Sequence, residues 1–229
     1  DDAALLSFEH QLHLTDTVGI PPWEADLAVP RFSFGGDTPL TASAVHVLGS
    51  AAPGPRSWLW SWANRVGDHP SATALAEQLR EYGKEHGIPE FTEAEIPFAD
   101  LPGAPTEPVQ VASLMMEAAK AVTKRWTGYQ GPVGRGTRLG MLIEHPSFVL
   151  PAPEGPRVSR VLQQGVAELR FHDQRRGFRS YAVNRGLRVQ ENDTQMHIEG
   201  PTFSVTAAFN DRNLMTAMTV DMRGAGQQQ

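Results

Sequence analysis

Four groups of residues have types and spacings that could do chemistry. His10-Gln11-Leu12-His13 sets two histidines at i and i+3, a spacing that shares one helix face and would suit two metal ligands. No glutamate follows the first histidine, so this is not the zinc-protease helix. The expectation is a surface or half-buried pair, with no metal and no other cofactor. Gly131, Gly134, Gly136 and Gly140, interleaved with Arg135 and Arg138, resemble a phosphate cradle. Such a loop leaves a strand and opens a helix, whereas this one leaves a helix and opens a strand, so it reads as a connection. Arg170, Arg175, Arg176, Arg179, Arg185 and Arg188 crowd into nineteen residues. On a helix Arg175 and Arg179 are i, i+4 neighbours with Arg176 beside them, a candidate patch for an anion or an acidic partner, set against a plain solvated face. Lastly, three of the five tryptophans alternate in Trp58-Leu59-Trp60-Ser61-Trp62-Ala63-Asn64. A period of two places the three rings on one face of a strand. They either line a ligand pocket, together with His46 and Asn64, or fill the space between a sheet and its helices. No nucleophile elbow, P-loop or kinase signature is present.

The elements that must position these groups follow from apolar spacing. A first helix is predicted over residues 3–14 and stopped by Pro21-Pro22. Short extended pieces follow at 24–29 and 31–34, with a turn at Gly35-Gly36-Asp37. Residues 42–48 and 56–62 alternate as neighbouring antiparallel strands. Ser71 is the expected cap of a helix ending near Gly87, and residues 89–105 read as irregular. Thr106 is the expected cap of a longer helix to Trp126, whose stripe includes Met116 and faces the core. Residues 137–144 are a strand. After the prolines at 146, 151, 153 and 156 come a helix near 158–169, a second helix capped by Asp173, and a meander of strands ending near Met222, with its hairpin turn at 210–213.

Composition narrows the function classes. The 229 residues carry no cysteine, which removes disulfides, a thiol nucleophile and thiolate metal sites. Charge is unevenly placed: residues 1–150 hold 10 Lys/Arg against 18 Asp/Glu, while residues 151–229 hold 10, all arginine, against 8. The acidic first part argues against general nucleic-acid binding. No apolar run nears the roughly 18–20 residues that cross a bilayer, and no signal peptide is visible. The expectation is a cytoplasmic protein, although a chain that opens on Asp1-Asp2 leaves room for a segment upstream.

An ordered set of these pieces resembles a known family. Trp23-Glu24-Ala25-Asp26-Leu27, His46-Val47-Leu48-Gly49-Ser50, the tryptophan strand, the run from Leu75 to Gly87, Ile88-Pro89-Glu90-Phe91-Thr92, Tyr129-Gln130-Gly131-Pro132 and the strand 139–143 appear in sequence. Together they resemble a bacterial family of unknown function marked by a W-L-W-x-W-A-N strand, over about residues 1–145. Residues 156–222 look like a companion module, through Asp173-Gln174-Arg175, Tyr181-Ala182-Val183-Asn184-Arg185-Gly186-Leu187 and Phe209-Asn210-Asp211-Arg212-Asn213-Leu214. Asn213 stands where that pattern has a Gly-Arg pair. The resemblance implies an architecture and assigns no activity, cofactor or catalytic residue.

The reading is therefore an α+β protein. Residues 1–150 form an antiparallel sheet covered by helices, 151–224 a smaller helix-helix-β-meander module, and 225–229 a polar tail. It is expected to act without catalysis, by binding a protein partner, in an accessory or immunity-type role that rests on analogy. The alternative is a small-ligand receptor or enzyme with a pocket under the tryptophan strand, lined by Trp58, Trp60, Trp62, His46 and Asn64. If the arginine patch is functional, Arg175, Arg176 and Arg179 carry it.

Overall fold

Prolines and glycines punctuate the chain, and the elements form between them. In the computed structural model, residues 1–64 and 69–223 are described; the polar tail 225–229 lies outside them. In chain order the elements are α1 (Ala4–Val18), β1 (Trp23–Asp26), β2 (Arg31–Phe34), β3 (Leu40–Thr41), β4 (Ala44–Ala52), β5 (Ser57–Trp60), α2 (Pro70–His86), α3 (Pro89–Thr92), β6 (Glu95–Pro97), α4 (Pro108–Thr123), β7 (Gly128–Pro132), β8 (Arg138–Glu144), α5 (Gly155–Glu168), α6 (Gln174–Asn184), β9 (Arg188–Glu191), β10 (Gln195–Glu199), β11 (Phe203–Phe209) and β12 (Met215–Met222). The fold class is α+β, and every strand pairing is antiparallel. The chain divides into two compact units: Gln11–Val149, the tryptophan unit, and Asp1–His10 with Leu150–Gln229, the meander unit.

The tryptophan unit is built on a five-stranded sheet in the order β6-β5-β4-β8-β7, with a three-stranded sheet β1-β2-β3 beside it. Strand alternation sends β4 and β8 side chains to both faces. Val45, Val47, Leu139, Met141 and Ile143 join Leu14, Phe32, Phe34 and Phe148 in one apolar cluster. Leu48, Ala51 and Leu142 join Trp58, Trp60 and the buried faces of α2 and α4 in another. Both faces of the sheet are thus dry.

One irregularity decides how the tryptophans fit. The β4–β8 register slips between Val47 and Gly49, so Leu48 is an extra residue. A bulge of this kind reverses the alternation beyond it. Gly49 and Ala51 therefore face the helices, opposite Trp60 and Trp58. Gly49 is also paired with Gly140 on β8, and the Trp58 indole lies across the pair. A Cβ on Gly49 would come 2.7 Å from that ring and 2.4 Å from the Leu59 carbonyl oxygen, and one on Gly140 would come 3.1 Å from the ring.

Several boundaries differ from expectation for local reasons. β5 ends at Trp60, because the chain turns into a 3-10 helix at Ser61–Ala63 as the Ser61 hydroxyl donates to the Val47 carbonyl at 2.6 Å. The α2 cap is His69 rather than Ser71: the His69 ring accepts from the Ser71 N–H, and Pro70 opens the helix. The α4 cap is Glu107 rather than Thr106, in a capping box with Gln110. That helix stops at Thr123, where Lys124 takes a left-handed conformation. Asp173 caps α6, as its sequence predicts, accepting from the Arg176 N–H at 2.8 Å.

The meander unit carries one four-stranded sheet, ordered β12-β11-β10-β9. Helices α5 and α6 pack on one face, over the buried Met196, Ile198, Phe203, Val205, Ala207 and Phe209. The opposite face presents Gln190, Gln195, His197, Thr206, Thr219 and Asp221, as alternation requires.

Candidate functional site

The tryptophan group is placed by β5 and the turn after it. Trp58 and Trp60 are both 0% exposed and meet edge to face, with ring centroids 5.6 Å apart. Trp60 continues edge-on to Phe91 at 5.8 Å, and its indole N–H donates to the Glu90 carbonyl at 2.9 Å. Burying two such rings contributes roughly 4–6 kcal/mol each by area. Trp62 has left the strand, yet its half-buried ring still packs on the same cluster, with the Arg80 guanidinium 4.1 Å above it. Asn64 is exposed and ends the 3-10 turn through its backbone N–H, 3.1 Å from the Ser61 carbonyl.

His46 stands on β4, on the face that holds Leu48. Its Nε2 lies 2.9 Å from Oε1 of Glu144, which also takes the Arg125 Nε at 2.6 Å. Burial pushes the Glu144 carboxyl upward, but the bonds and charges of His46 and Arg125 together outweigh it and hold the group below its ordinary range. Three polar atoms of this region, Nδ1 of His46 and the indole nitrogens of Trp58 and Trp62, are buried without a hydrogen-bond partner among the described residues. A cleft of about 660 Å³ opens elsewhere in the unit, lined in part by Thr17, Phe34, Asp37, Leu40, His145 and Ser147. None of the five sequence candidates lines it.

The arginines of α6 are engaged inside the meander unit. Arg175 pairs with Glu191 at 3.2 Å and donates to the carbonyls of Asn192 and Asp193. Arg179 reaches Glu191 at 2.7 Å, and Arg176 pairs with Asp2. These bonds hold the Asp2 and Glu191 carboxyls below their ordinary range, through Arg176 and Arg179 respectively. The second histidine of the i, i+3 pair is also committed, since Nε2 of His13 lies 3.0 Å from the Ser147 carbonyl and must donate to it. Among the described residues no group of three or more His, Cys, Asp or Glu is arranged to hold a metal ion.

Sequence reasoning missed a fully buried, multiply bonded carboxylate. Glu9 of α1 is 0% exposed. It ion-pairs with Nε of Arg157 at 3.2 Å and Nε of Arg185 at 3.0 Å, and accepts from the Tyr181 hydroxyl at 3.0 Å. Burial first, and then the Glu9 charge, raises the tyrosine pKa. The available signal was its position four residues after Leu5 on the buried stripe, in a chain whose second part is rich in arginine.

The strand at the end of the meander was expected from its alternation, but not that it forms an open sheet edge. β9, at the other edge, has four residues, with Glu191 bonded by two arginines. β12 has eight residues, and Thr216, Ala217, Thr219, Asp221 and Met222 are exposed. Its register fixes which backbone groups are free. The Arg223 N–H donates to the Thr202 carbonyl, so in the antiparallel register 217, 219 and 221 bond to β11, and Met218, Val220 and Met222 turn their N–H and C=O groups outward. Among the described residues these outward groups have no partner. Nearer the strand start, the Met215 N–H is satisfied by the Gln174 side chain at 2.7 Å.

No helix among the described residues is long and apolar enough to cross a membrane. No curated protein and no solved structure matches the chain. A family model described as a family of unknown function (DUF6882) matches residues 1–146, taking in the tryptophan strand, its bulged neighbour β4 and Glu9. The chain belongs to that family.

Proposed function

We propose that this protein acts by binding another protein, without catalysis, and that the binding element is the open edge of β12. The observation that carries this reading is the contrast in satisfaction. The side chains best suited to chemistry are bonded to one another or packed in the core, while Met218, Val220 and Met222 present backbone donors and acceptors with no partner among the described residues. An unprotected edge of this length is a template for an added strand, in which main-chain bonds supply affinity and alternate side chains supply selectivity. To test it, phage-displayed random peptides are selected on the full chain and counter-selected on Val220→Pro, which removes one outward N–H at an edge position that tolerates proline. Selected peptides should slow amide exchange at Met218, Val220 and Met222 and not at their neighbours. Peptides that bind Val220→Pro equally well, or that protect other residues, overturn the reading.

A second reading is favoured by the three buried orphan atoms, His46 Nδ1 and the indole nitrogens of Trp58 and Trp62. Unsatisfied buried polar groups are uncommon, and a small polar ligand or ordered water that reached one of these atoms would satisfy it. A small-molecule screen followed by tryptophan fluorescence tests this. A hit should lose its effect in His46→Leu; a screen without any fluorescence response counts against a ligand here.

A further inference from the structure

Resting on the reading of β12 as a binding edge, we propose that its occupant is a second copy of this chain, paired antiparallel through β12 about a two-fold axis at Thr219. The strand's own sequence supports this choice of partner. Only residues whose backbone groups point outward can form the new ladder, and in this register Met218 bonds Val220 of the other copy while Thr216 faces Met222. Parity is preserved, because Met218, Val220 and Met222 stand on the helix-covered side of the sheet in both copies. The half-buried Met218 and Val220 and the exposed Met222 are then covered by each other's counterparts. On the opposite side Thr219 meets itself, a pairing in which the hydroxyls can hydrogen-bond, and Asp221 faces Ala217. No like charges meet within the strand, because Asp221 is the only charged residue of Met215–Met222. A strand that avoided self-association would carry lysine, proline or an inward charge; β12 has none of these, although Arg223 just beyond it pairs with Glu199 at 2.8 Å.

The axis at Thr219 makes a sharp test. Light scattering after size exclusion, run on the full chain up to the high micromolar range, should give twice the monomer mass. Thr219 is exposed and its side chain bonds nothing among the described residues, so Thr219→Lys and Thr219→Glu should each fold normally. Each sets like charges face to face across the axis and should weaken the dimer at least roughly tenfold. An equimolar mixture of the two variants should recover the dimer. A wild-type chain that stays monomeric, a dimer that survives Thr219→Lys, or a mixture that stays monomeric overturns the proposal. If the wild type is monomeric while selected peptides still protect the alternate β12 amides, self-pairing fails and the protein-binding reading stands. If neither occurs, both fail.

Discussion

The two units solve the same problem, covering an antiparallel sheet, in opposite ways. The five-stranded sheet of the tryptophan unit is dry on both faces and ends in short strands that carry a proline, Pro97 on β6 and Pro132 on β7. The four-stranded sheet of the meander unit is covered on one face, polar on the other, and ends in a long strand with outward amides. Their interiors differ as well. One is organised around two indoles fitted over glycines; the other holds a buried carboxylate between two arginines and a tyrosine. A sheet packed on both faces and ending in short, proline-bearing edges is suited to being a scaffold, whereas a sheet with a polar face and a long open edge is suited to meeting something else. Function is therefore expected at β12 rather than at the tryptophans, even though the tryptophans dominate the sequence.

The contrast in interiors can be broken by mutation. Glu9→Ala leaves Arg157 and Arg185 without their shared partner, and removing one member of a buried ion cluster typically costs about 3–5 kcal/mol. Denaturant-dependent amide exchange at Phe178 and Val205 should report a loss of that size, and a loss under about 1 kcal/mol would mean the cluster is more solvated than its geometry indicates. Trp58→Ala empties an apolar site and is expected to cost about 3–5 kcal/mol. All five tryptophans lie in Gln11–Val149, so fluorescence-detected denaturation follows that unit directly. Gly49→Ala should cost about 1–3 kcal/mol or more through overpacking, because backbone as well as the indole blocks the new methyl. If Gly49→Ala is neutral, the bulge is not what seats the ring.

Smaller effects sharpen the comparison. Trp62→Ala should cost less than Trp58→Ala, since a half-buried ring under an arginine contributes roughly 0.5–2 kcal/mol of cation–π attraction beyond its packing. The acid response is smaller still. The folded pKa of Glu144 lies below its ordinary value of 4.5, so its pairing with His46 and Arg125 stabilises the fold above that pH and is lost as pH falls through the lowered value. Because the carboxylate is partly exposed, the contribution is under about 1 kcal/mol. Glu144→Gln should flatten the stability profile below pH 4.5, and an unchanged acid limb would show that the pair contributes nothing.

Much of the fold was legible where local chemistry is unambiguous. Asp173 before α6, the hairpin turn at 210–213 and the clean alternation of β11 and β12 each say one thing. β6 and β7 were not legible, because their signals are those of loops. β6 is three residues ending in proline, and β7 contains two glycines, Gly128 and Gly131, that tertiary neighbours require: a Cβ on Gly131 would come 2.1 Å from the Trp23 indole. The strand predicted over 56–62 was over-extended at its end, because alternation does not reveal that Ser61 bonds to Val47 and turns the chain. The bulge at Leu48 was invisible for the same reason, being a property of the β4–β8 pairing. At the site level, residue type drew attention to the tryptophans and arginines. Glu9, buried on a helix read as amphipathic, could be recognised only once Arg157, Arg185 and Tyr181 were seen around it.

Residue-resolved amide exchange on the full chain at low concentration tests the central claim most directly. The account predicts slow exchange at Trp58 and Trp60, slow exchange at Ala217, Thr219 and Asp221, and fast exchange at Met218, Val220 and Met222 that slows as protein concentration rises. Slow exchange at Met218, Val220 and Met222 at every concentration would contradict it, since the edge would then be closed within a single chain and could not be where this protein binds.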